Sequence, residues 1–215
     1  MAALPDLPAN YAAALKLIDE AHADDPKTIP SADGDGTIPY ELHYAQKMTR
    51  WLALRWPDAS STLQLACRAQ HFRRWEIPRN TFPMTRPGYL TWRAKQKAQA
   101  ASEISTLLSP SPSSSSSFAI SPPIPADAIE RIAFLIRKEN LKADEETQVL
   151  EDVACLVFLD DQLDDFEQKE DIDEDKIVGI LRKTWVKMSD VGQGLALEMR
   201  MSERAKALIG KALAG

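Results

Sequence analysis

Apolar residues recur at helical spacing along most of the chain. Tyr44, Met48 and Leu52, for example, are four residues apart and share one face of a helix. No segment of the sequence shows the sustained alternation of apolar and polar residues that marks strands. The pattern therefore predicts an all-α fold, a single-domain orthogonal helical bundle. Its predicted helices span residues 9–22, 39–56, 61–75, 90–108, 126–140 and 147–166, with three more after caps at Asp173, Ser189 and Ser202.

We expect the most apolar of these helices to be the one around which the others pack. Residues 147–166 read TQVLEDVACLVFLDDQLDDF, and positions 153–159 are apolar without a break. A helix that is apolar on every side is a buried helix. Glu151 and Asp152 lie at its entrance, and Asp152 falls on the same stripe as Leu156. Since an unpaired buried charge costs several kcal/mol, both carboxylates need partners, and we expect a functional site around them.

Length and composition narrow the class of protein. With 215 residues the chain suits one domain, residues 1–215, in which the Ser/Pro-rich stretch 109–125 is predicted to be a flexible surface insertion. A net charge of −6 argues against a bulk binder of nucleic acid or of anionic membranes. Cys67 and Cys155 fall within apolar helical patterns, as reduced thiols of cytosolic proteins do. Because no segment resembles a secretory signal or a membrane span, we expect a cytoplasmic protein.

Basic residues concentrate in one part of the chain. Residues 68–97 carry eight Lys or Arg against the single acidic residue Glu76, and Trp75, Tyr89 and Trp92 lie among them. Guanidinium groups interleaved with aromatic faces suit the binding of phosphate, nucleotides or single-stranded RNA.

Four phrases of the sequence resemble a family known in bacteria and fungi as a domain of unknown function. They read RAQHFRRWEIPR (68–79), GYLTWR (88–93), IRKENLKADEETQVLEDVACLVFL (136–159) and LRKTWVKMS (181–189), and they span most of the chain. Fungal members are often labelled glutamyl-tRNA synthetase. Here Lys187-Met188-Ser189 is followed by Asp190 instead of the next lysine of the KMSKS signature, and no HIGH-type motif occurs. We therefore do not expect synthetase activity.

A weaker resemblance is to the HD superfamily of helical metal-dependent phosphohydrolases. Those enzymes place a histidine on one helix, a His-Asp pair on the next and an aspartate on a later buried helix. His43, Gln70-His71 and Asp152 follow the same order, with Gln-His in place of His-Asp. The resemblance implies a divergent HD-like bundle in which His43 and His71, together with Asp152 or Glu151, bind one divalent transition metal, zinc, iron or manganese.

A hydrolase hypothesis in which Asp152 binds the metal assigns the remaining roles. The metal would polarise a phosphate or activate a water, Glu151 would act as general base, and cations would hold the anionic substrate. The cations in this role are Arg73, Arg74, Arg79 and Lys138.

Three functions are compatible with these features. The first is a divergent metal-dependent phosphohydrolase acting on a phosphorylated or nucleotide-like small molecule. The second is a non-catalytic module that binds a nucleotide, RNA or an acidic protein through residues 68–93. The third is an adaptor, in which the two buried carboxylates pair with Arg68, Arg73 or Arg74. Only the first requires the two histidines and a carboxylate to converge around one point.

Deletion of residues 109–117 tests the predicted insertion. The shortened chain should keep a cooperative thermal unfolding transition, because a low-complexity segment contributes no packed contacts to the core. Circular dichroism measured at rising temperature follows this transition. Loss of cooperativity would show that the segment packs.

Overall fold

Helices make up nearly all of the regular structure. The computed structural model describes residues 3–31, 34, 36–110, 120–163 and 173–214, and within them the all-α prediction is confirmed. The helices are α1 (Ala9–His22), α2 (Tyr40–Arg55), α3 (Ser61–Arg68), α4 (Arg86–Leu108), α5 (Ala126–Arg137), α6 (Glu145–Val157), α7 (Glu174–Lys187), α8 (Asp190–Glu198) and α9 (Glu203–Leu213).

A short antiparallel hairpin connects α1 to α2. Its strands, β1 (Thr28–Pro30) and β2 (Thr37–Pro39), place Ile29 opposite Ile38. Strands of three residues are too short to produce the alternation by which a sequence reveals strands, so no strand is predicted here. Pro39 ends β2 and directly precedes α2, where its fixed φ suits the start of a helix.

Helix α6 lies at the centre of the bundle, as its apolar sequence predicts. It packs on α2, α3, α5, α7 and α8. Its completely buried side chains include Leu150, Val153 and Leu156. After Val157 the helix continues as a π-helical turn, Phe158–Gln162. Residues 164–166 of the predicted helix lie outside the described residues.

Asp152 has no solvent exposure, and its carboxylate is fully engaged. Arg55 Nε donates to Oδ2 at 2.7 Å, and Ser189 donates from its backbone N–H at 2.8 Å and from its hydroxyl at 2.5 Å. Because Ser189 is also the N-cap of α8, this carboxylate connects α2, α6 and α8. The adaptor hypothesis predicts the wrong partners for it, namely Arg68, Arg73 or Arg74.

Helix α3 is shorter than predicted. It ends at Arg68 instead of Trp75, and two 3₁₀ turns, Arg74–Glu76 and Arg79–Thr81, lead the chain to α4. Arg73 adopts a left-handed backbone with φ of 49°, which a continuous right-handed helix excludes. The basic segment is therefore a turn and a loop in its first half, and only its second half is helical.

The N-terminal caps predicted for the last three helices are confirmed. Asp173, Ser189 and Ser202 each accept a hydrogen bond from the backbone N–H three residues further on. Helix α4 begins at Arg86, four residues before its predicted start, because Thr85 caps it and Pro87 is compatible with a first turn.

One continuous hydrophobic core receives side chains from each of the nine helices within the described residues. That residues 1–215 form one domain stays a prediction, and residues 111–119 of the Ser/Pro-rich stretch lie outside the described residues. No described helix combines the length and the apolar character needed to cross a membrane.

Gly192 of α8 packs directly against Asp152. An added Cβ would lie 2.8 Å from the Asp152 Cγ, so Gly192→Ala should lower the free energy of unfolding by about 1–3 kcal/mol through overpacking. Gly194→Ala is the control, since its added methyl group meets nothing within 4 Å. It should leave stability unchanged or raise it by up to about 1 kcal/mol. Urea unfolding measures both; equal effects would contradict the packing of α8 on Asp152.

Candidate functional site

A buried carboxylate on α2 fixes the turn that follows α3. Glu41 is buried, and its oxygens accept hydrogen bonds from the backbone N–H groups of Arg73 at 2.8 Å and Arg74 at 2.7 Å. His22 Nδ1 is hydrogen-bonded to the same carboxylate at 2.8 Å, and its Nε2 donates to the carbonyl of Arg68 at 3.0 Å. This network holds the chain in the turn after Arg68 and sets the position of Arg74.

A cleft of about 430 Å³ lies beside this turn. The start of α2 forms one wall, the turn and the loop up to Arg79 form another, and α4 and the π-helical turn complete it. Its volume is in the range of small-molecule pockets. Its lining includes Tyr40, His71, Arg74, Trp75, Trp92 and Gln96, together with the charged residues Asp25, Lys27 and Glu41.

Arg74 lines the cleft without a carboxylate partner. No described Asp or Glu side chain lies within 4 Å of its guanidinium nitrogens; its Nη1 is instead 3.2 Å from His71 Nε2. The guanidinium carbon lies 5.2 Å from the ring centroid of Trp92. Burial, and after it the charge of Arg93, lowers the pKa of Arg74. Arg74 therefore brings a permanent positive charge to the cleft without a direct ion pair among the described residues.

His71 adds hydrogen-bonding capacity to the cleft without adding charge. Its ring stacks on Tyr44, with centroids 4.0 Å apart and an angle of 16° between the planes. Burial, followed by the charges of Arg74 and Arg93, lowers the pKa of His71 well below its usual range. The imidazole is consequently neutral at pH 7, with one nitrogen able to donate and one able to accept.

The cleft adjoins a narrow cavity of about 10 Å³, here called the inner cavity. Both spaces are lined by His71, Arg74 and Gln96. Gln96 is only 8% exposed, and both polar atoms of its amide are buried with no partner in the described protein. Gln70 also lines the inner cavity, and its Oε1 is likewise buried without a hydrogen-bond partner in the described protein. Since buried polar atoms are nearly always hydrogen-bonded, these three atoms indicate a site for a polar ligand.

Arg79, one of the predicted anion-binding residues, lines the cleft, but its guanidinium is hydrogen-bonded to the backbone of its own loop. Its guanidinium donates to the carbonyl oxygens of Phe82 at 3.0 Å and Pro83 at 2.8 Å. These bonds close the loop that precedes α4. Arg79 therefore shapes the cleft wall, while Arg74 presents the free charge.

Two further predicted anion-binding residues are paired outside the cleft. Arg73 lies 3.9 Å from carboxylate oxygens of Glu76 and Glu103. Lys138 donates to Glu151 at 2.5 Å. Of the four cations predicted for this role, Arg74 is the one that the structure places in the cleft without a described carboxylate partner.

The three residues predicted to bind a metal have separate partners. His43 Nε2 is hydrogen-bonded to Asp161 at 3.0 Å, His71 lines the cleft, and Asp152 is paired with Arg55. Within the described residues, no group of three or more His, Cys, Asp or Glu is arranged to hold a metal ion. The donor set therefore does not fit the metal expected from the HD resemblance, and metal binding stays a prediction from the sequence.

Glu151, the predicted general base, is an ion-pair partner in the structure. It is 7% exposed, and Lys138 and Lys187 lie 2.5 and 3.6 Å from its carboxylate. Burial acts to raise its pKa, but the charges of the two lysines hold the pKa of Glu151 at about 2. A carboxylate with so low a pKa is a weak base at neutral pH. Its contacts connect α6 to the ends of α5 and α7.

Two residues that line the candidate site are not predicted from the sequence: Gln96, which lines both spaces, and Lys97, which lines the inner cavity. Glutamine and lysine usually occupy exposed helix positions, so neither residue type is distinctive in the sequence. One signal exists, however, because Gln96 follows Trp92 by four residues and therefore lies on the same face of α4.

A family model described as Domain of unknown function (DUF4202) matches residues 12–209 of the chain. The comparison of the chain with curated proteins found no match, and neither did the comparison with solved structures.

The Glu151 ion pairs predict a pH-dependent stability. Glutamate titrates near 4.5 in the unfolded chain and at about 2 in the folded protein, so the ionised carboxylate stabilises the fold above pH 4.5 and this contribution is lost as the pH falls from 4.5 to 2. At about 1.4 kcal/mol per pKa unit, the contribution is roughly 3 kcal/mol. Glu151→Gln should therefore lower the free energy of unfolding at pH 7, and by less at pH 3.

Urea unfolding at the two pH values measures this difference. Glu198→Gln, at an exposed position on α8, is the control and should change little at either pH. An equal loss for Glu151→Gln at pH 7 and pH 3 would contradict the assigned pKa.

Proposed function

Because the chain belongs to the family described as a domain of unknown function, DUF4202, we propose its function from the site: binding of a phosphorylated, nucleotide-like small molecule. The ligand occupies the cleft beside the turn after α3. This ligand class is common to the first two hypotheses from the sequence.

One observation carries the proposal: Arg74 and Gln96 line the same cleft, and neither has the partner that its chemistry requires within the described protein. A cation without a carboxylate calls for an anion, and a buried amide calls for hydrogen-bond partners. A phosphate group supplies a negative charge and several acceptor oxygens at once. Neutral His71 lies beside Arg74 and provides one more hydrogen bond.

Aromatic side chains give the cleft a surface for a planar group. Tyr40 and Trp75 are partly buried and line the same space as Arg74. Trp92 is nearly buried, and its indole N–H donates to the carbonyl of Ile77 at 2.8 Å, which fixes the ring beneath the Arg74 guanidinium. Stacking of a base on an aromatic side chain contributes about 1–3 kcal/mol, so a nucleotide gains from both parts of the site.

Hydrolysis is not included in the proposal. A metal-dependent mechanism requires ligands that converge, and His43, His71 and Asp152 have different partners. The predicted base, Glu151, is held by lysines and does not line the cleft. What supports the proposal is therefore the complementarity between the cleft and a phosphorylated ligand.

Calorimetric titration with the four ribonucleoside 5′-monophosphates and the four parent nucleosides tests the proposal. At least one monophosphate should bind, and about ten-fold or more tightly than its nucleoside, because the charge-assisted bonds to Arg74 are absent without the phosphate. Arg74→Met should abolish this difference. Arg86→Met is the matched control: this arginine is exposed at the start of α4, and its loss should leave binding unchanged.

Two outcomes would overturn the proposal. One is the absence of binding by every monophosphate. The other is binding that is equal for nucleosides and monophosphates or that persists in Arg74→Met.

A further inference from the structure

The inner cavity brings cations and amides together in a space the size of one atom. Besides His71, Arg74 and Gln96, which it shares with the cleft, it is lined by Arg93, Lys97 and Gln70. A volume of about 10 Å³ holds roughly one water molecule or one oxygen atom. A group that fills this cavity therefore ends in a small polar atom.

The cations at this cavity are not neutralised by nearby carboxylates. Arg74, Arg93 and Lys97 have no carboxylate within 4 Å among the described residues, and both α4 side chains are partly buried. Glu151 influences Lys97 from a greater distance, but its oxygens are taken up by Lys138 and Lys187. Three positively charged side chains therefore line one small cavity that shares part of its wall with the cleft.

The glutamine amides add a second requirement. Gln96 Nε2 needs an acceptor, while Gln96 Oε1 and Gln70 Oε1 need donors. An unesterified phosphate oxygen accepts from the amide and from the cations, and when protonated it donates to a glutamine oxygen. A phosphodiester has fewer free oxygens, no hydroxyl and less charge, whereas a monoester carries about −1.5 to −2 at pH 7.

From this convergence we infer that the inner cavity receives a terminal oxygen of the ligand's phosphate, so that the protein selects phosphomonoesters over phosphodiesters. The inference rests on the proposed function and specifies which end of the ligand enters first. It also separates a free nucleotide from a nucleic-acid chain, in which every internal phosphate is a diester.

Small esters test this selection without a base. Methyl phosphate, dimethyl phosphate and methyl sulfate are titrated separately into ¹⁵N-labelled protein, and the indole signal of Trp92 reports binding. Methyl phosphate should bind about ten-fold or more tightly than dimethyl phosphate, because the second methyl group blocks an oxygen and lowers the charge. Methyl sulfate, which has free oxygens but a smaller charge and no hydroxyl, should bind as weakly as dimethyl phosphate.

Variants at the inner cavity should reduce the preference for the monoester. Lys97→Met and Gln96→Leu are the tests, with Lys97→Met as the variant at a partly exposed position that is expected to fold normally. Lys95→Met is the matched control, since Lys95 is exposed on the same helix and lines neither space. It should keep the full preference.

The titrations distinguish a failure of this inference from a failure of the proposed function. Equal binding of the two phosphate esters, or of methyl sulfate and methyl phosphate, would overturn the inference, as would an undiminished preference in both test variants. If the esters are distinguished but no nucleoside monophosphate binds more tightly than methyl phosphate, the nucleotide-like ligand is wrong and the phosphate position stands. If nucleotides bind through Arg74 but the esters are not distinguished, only the present inference fails.

Discussion

The carboxylate of Glu41 holds the part of the fold on which the candidate site depends. It accepts from two consecutive backbone N–H groups, those of Arg73 and Arg74, and is hydrogen-bonded to His22. Burial raises the pKa of Glu41, and the hydrogen bonds to His22 and to the backbone oppose this effect. Because Glu41 binds the backbone of the turn and not its side chains, the guanidinium of Arg74 remains available at the cleft.

The distribution of buried charge separates structural roles from the site. Asp152 is satisfied by Arg55 and Ser189, and Glu151 by Lys138 and Lys187, so both carboxylates of α6 contribute to helix packing. The cleft is arranged differently: the carboxylates of Asp25 and Glu41 line it but accept from backbone N–H groups, and no described carboxylate lies within 4 Å of the Arg74 guanidinium nitrogens. This distribution of charge supports the proposal that an anion binds at the cleft. We therefore propose that the site lies beside the turn after α3 and not around α6, where the sequence led us to expect it.

Local sequence information predicts the helices well and the site only in part. Helical spacing and caps such as Asp173 depend on residues a few positions apart, and they are confirmed. The end of α3 at Arg68 depends on Glu41, which is far away in sequence, so periodicity extends that helix too far. The same holds for Asp152 and its distant partner Arg55.

The arginines show most clearly why the site is harder to predict. Arg73, Arg74 and Arg79 are equivalent as residue types, and only the turn decides that Arg73 pairs outside, Arg79 closes a loop and Arg74 faces the cleft. Gln96 has no distinctive sequence signal because its importance lies in missing partners, which only coordinates reveal.

The central claim is that the cleft binds a tetrahedral oxyanion through Arg74 and Gln96. The most direct measurement is the anomalous difference density of a crystal soaked in selenate, an analogue that shares the shape and charge of a phosphate dianion. The account predicts a selenium peak in the cleft with oxygens about 3 Å from the Arg74 guanidinium and the Gln96 amide. Selenium peaks confined to exposed lysines and arginines, with none in the cleft, would contradict it.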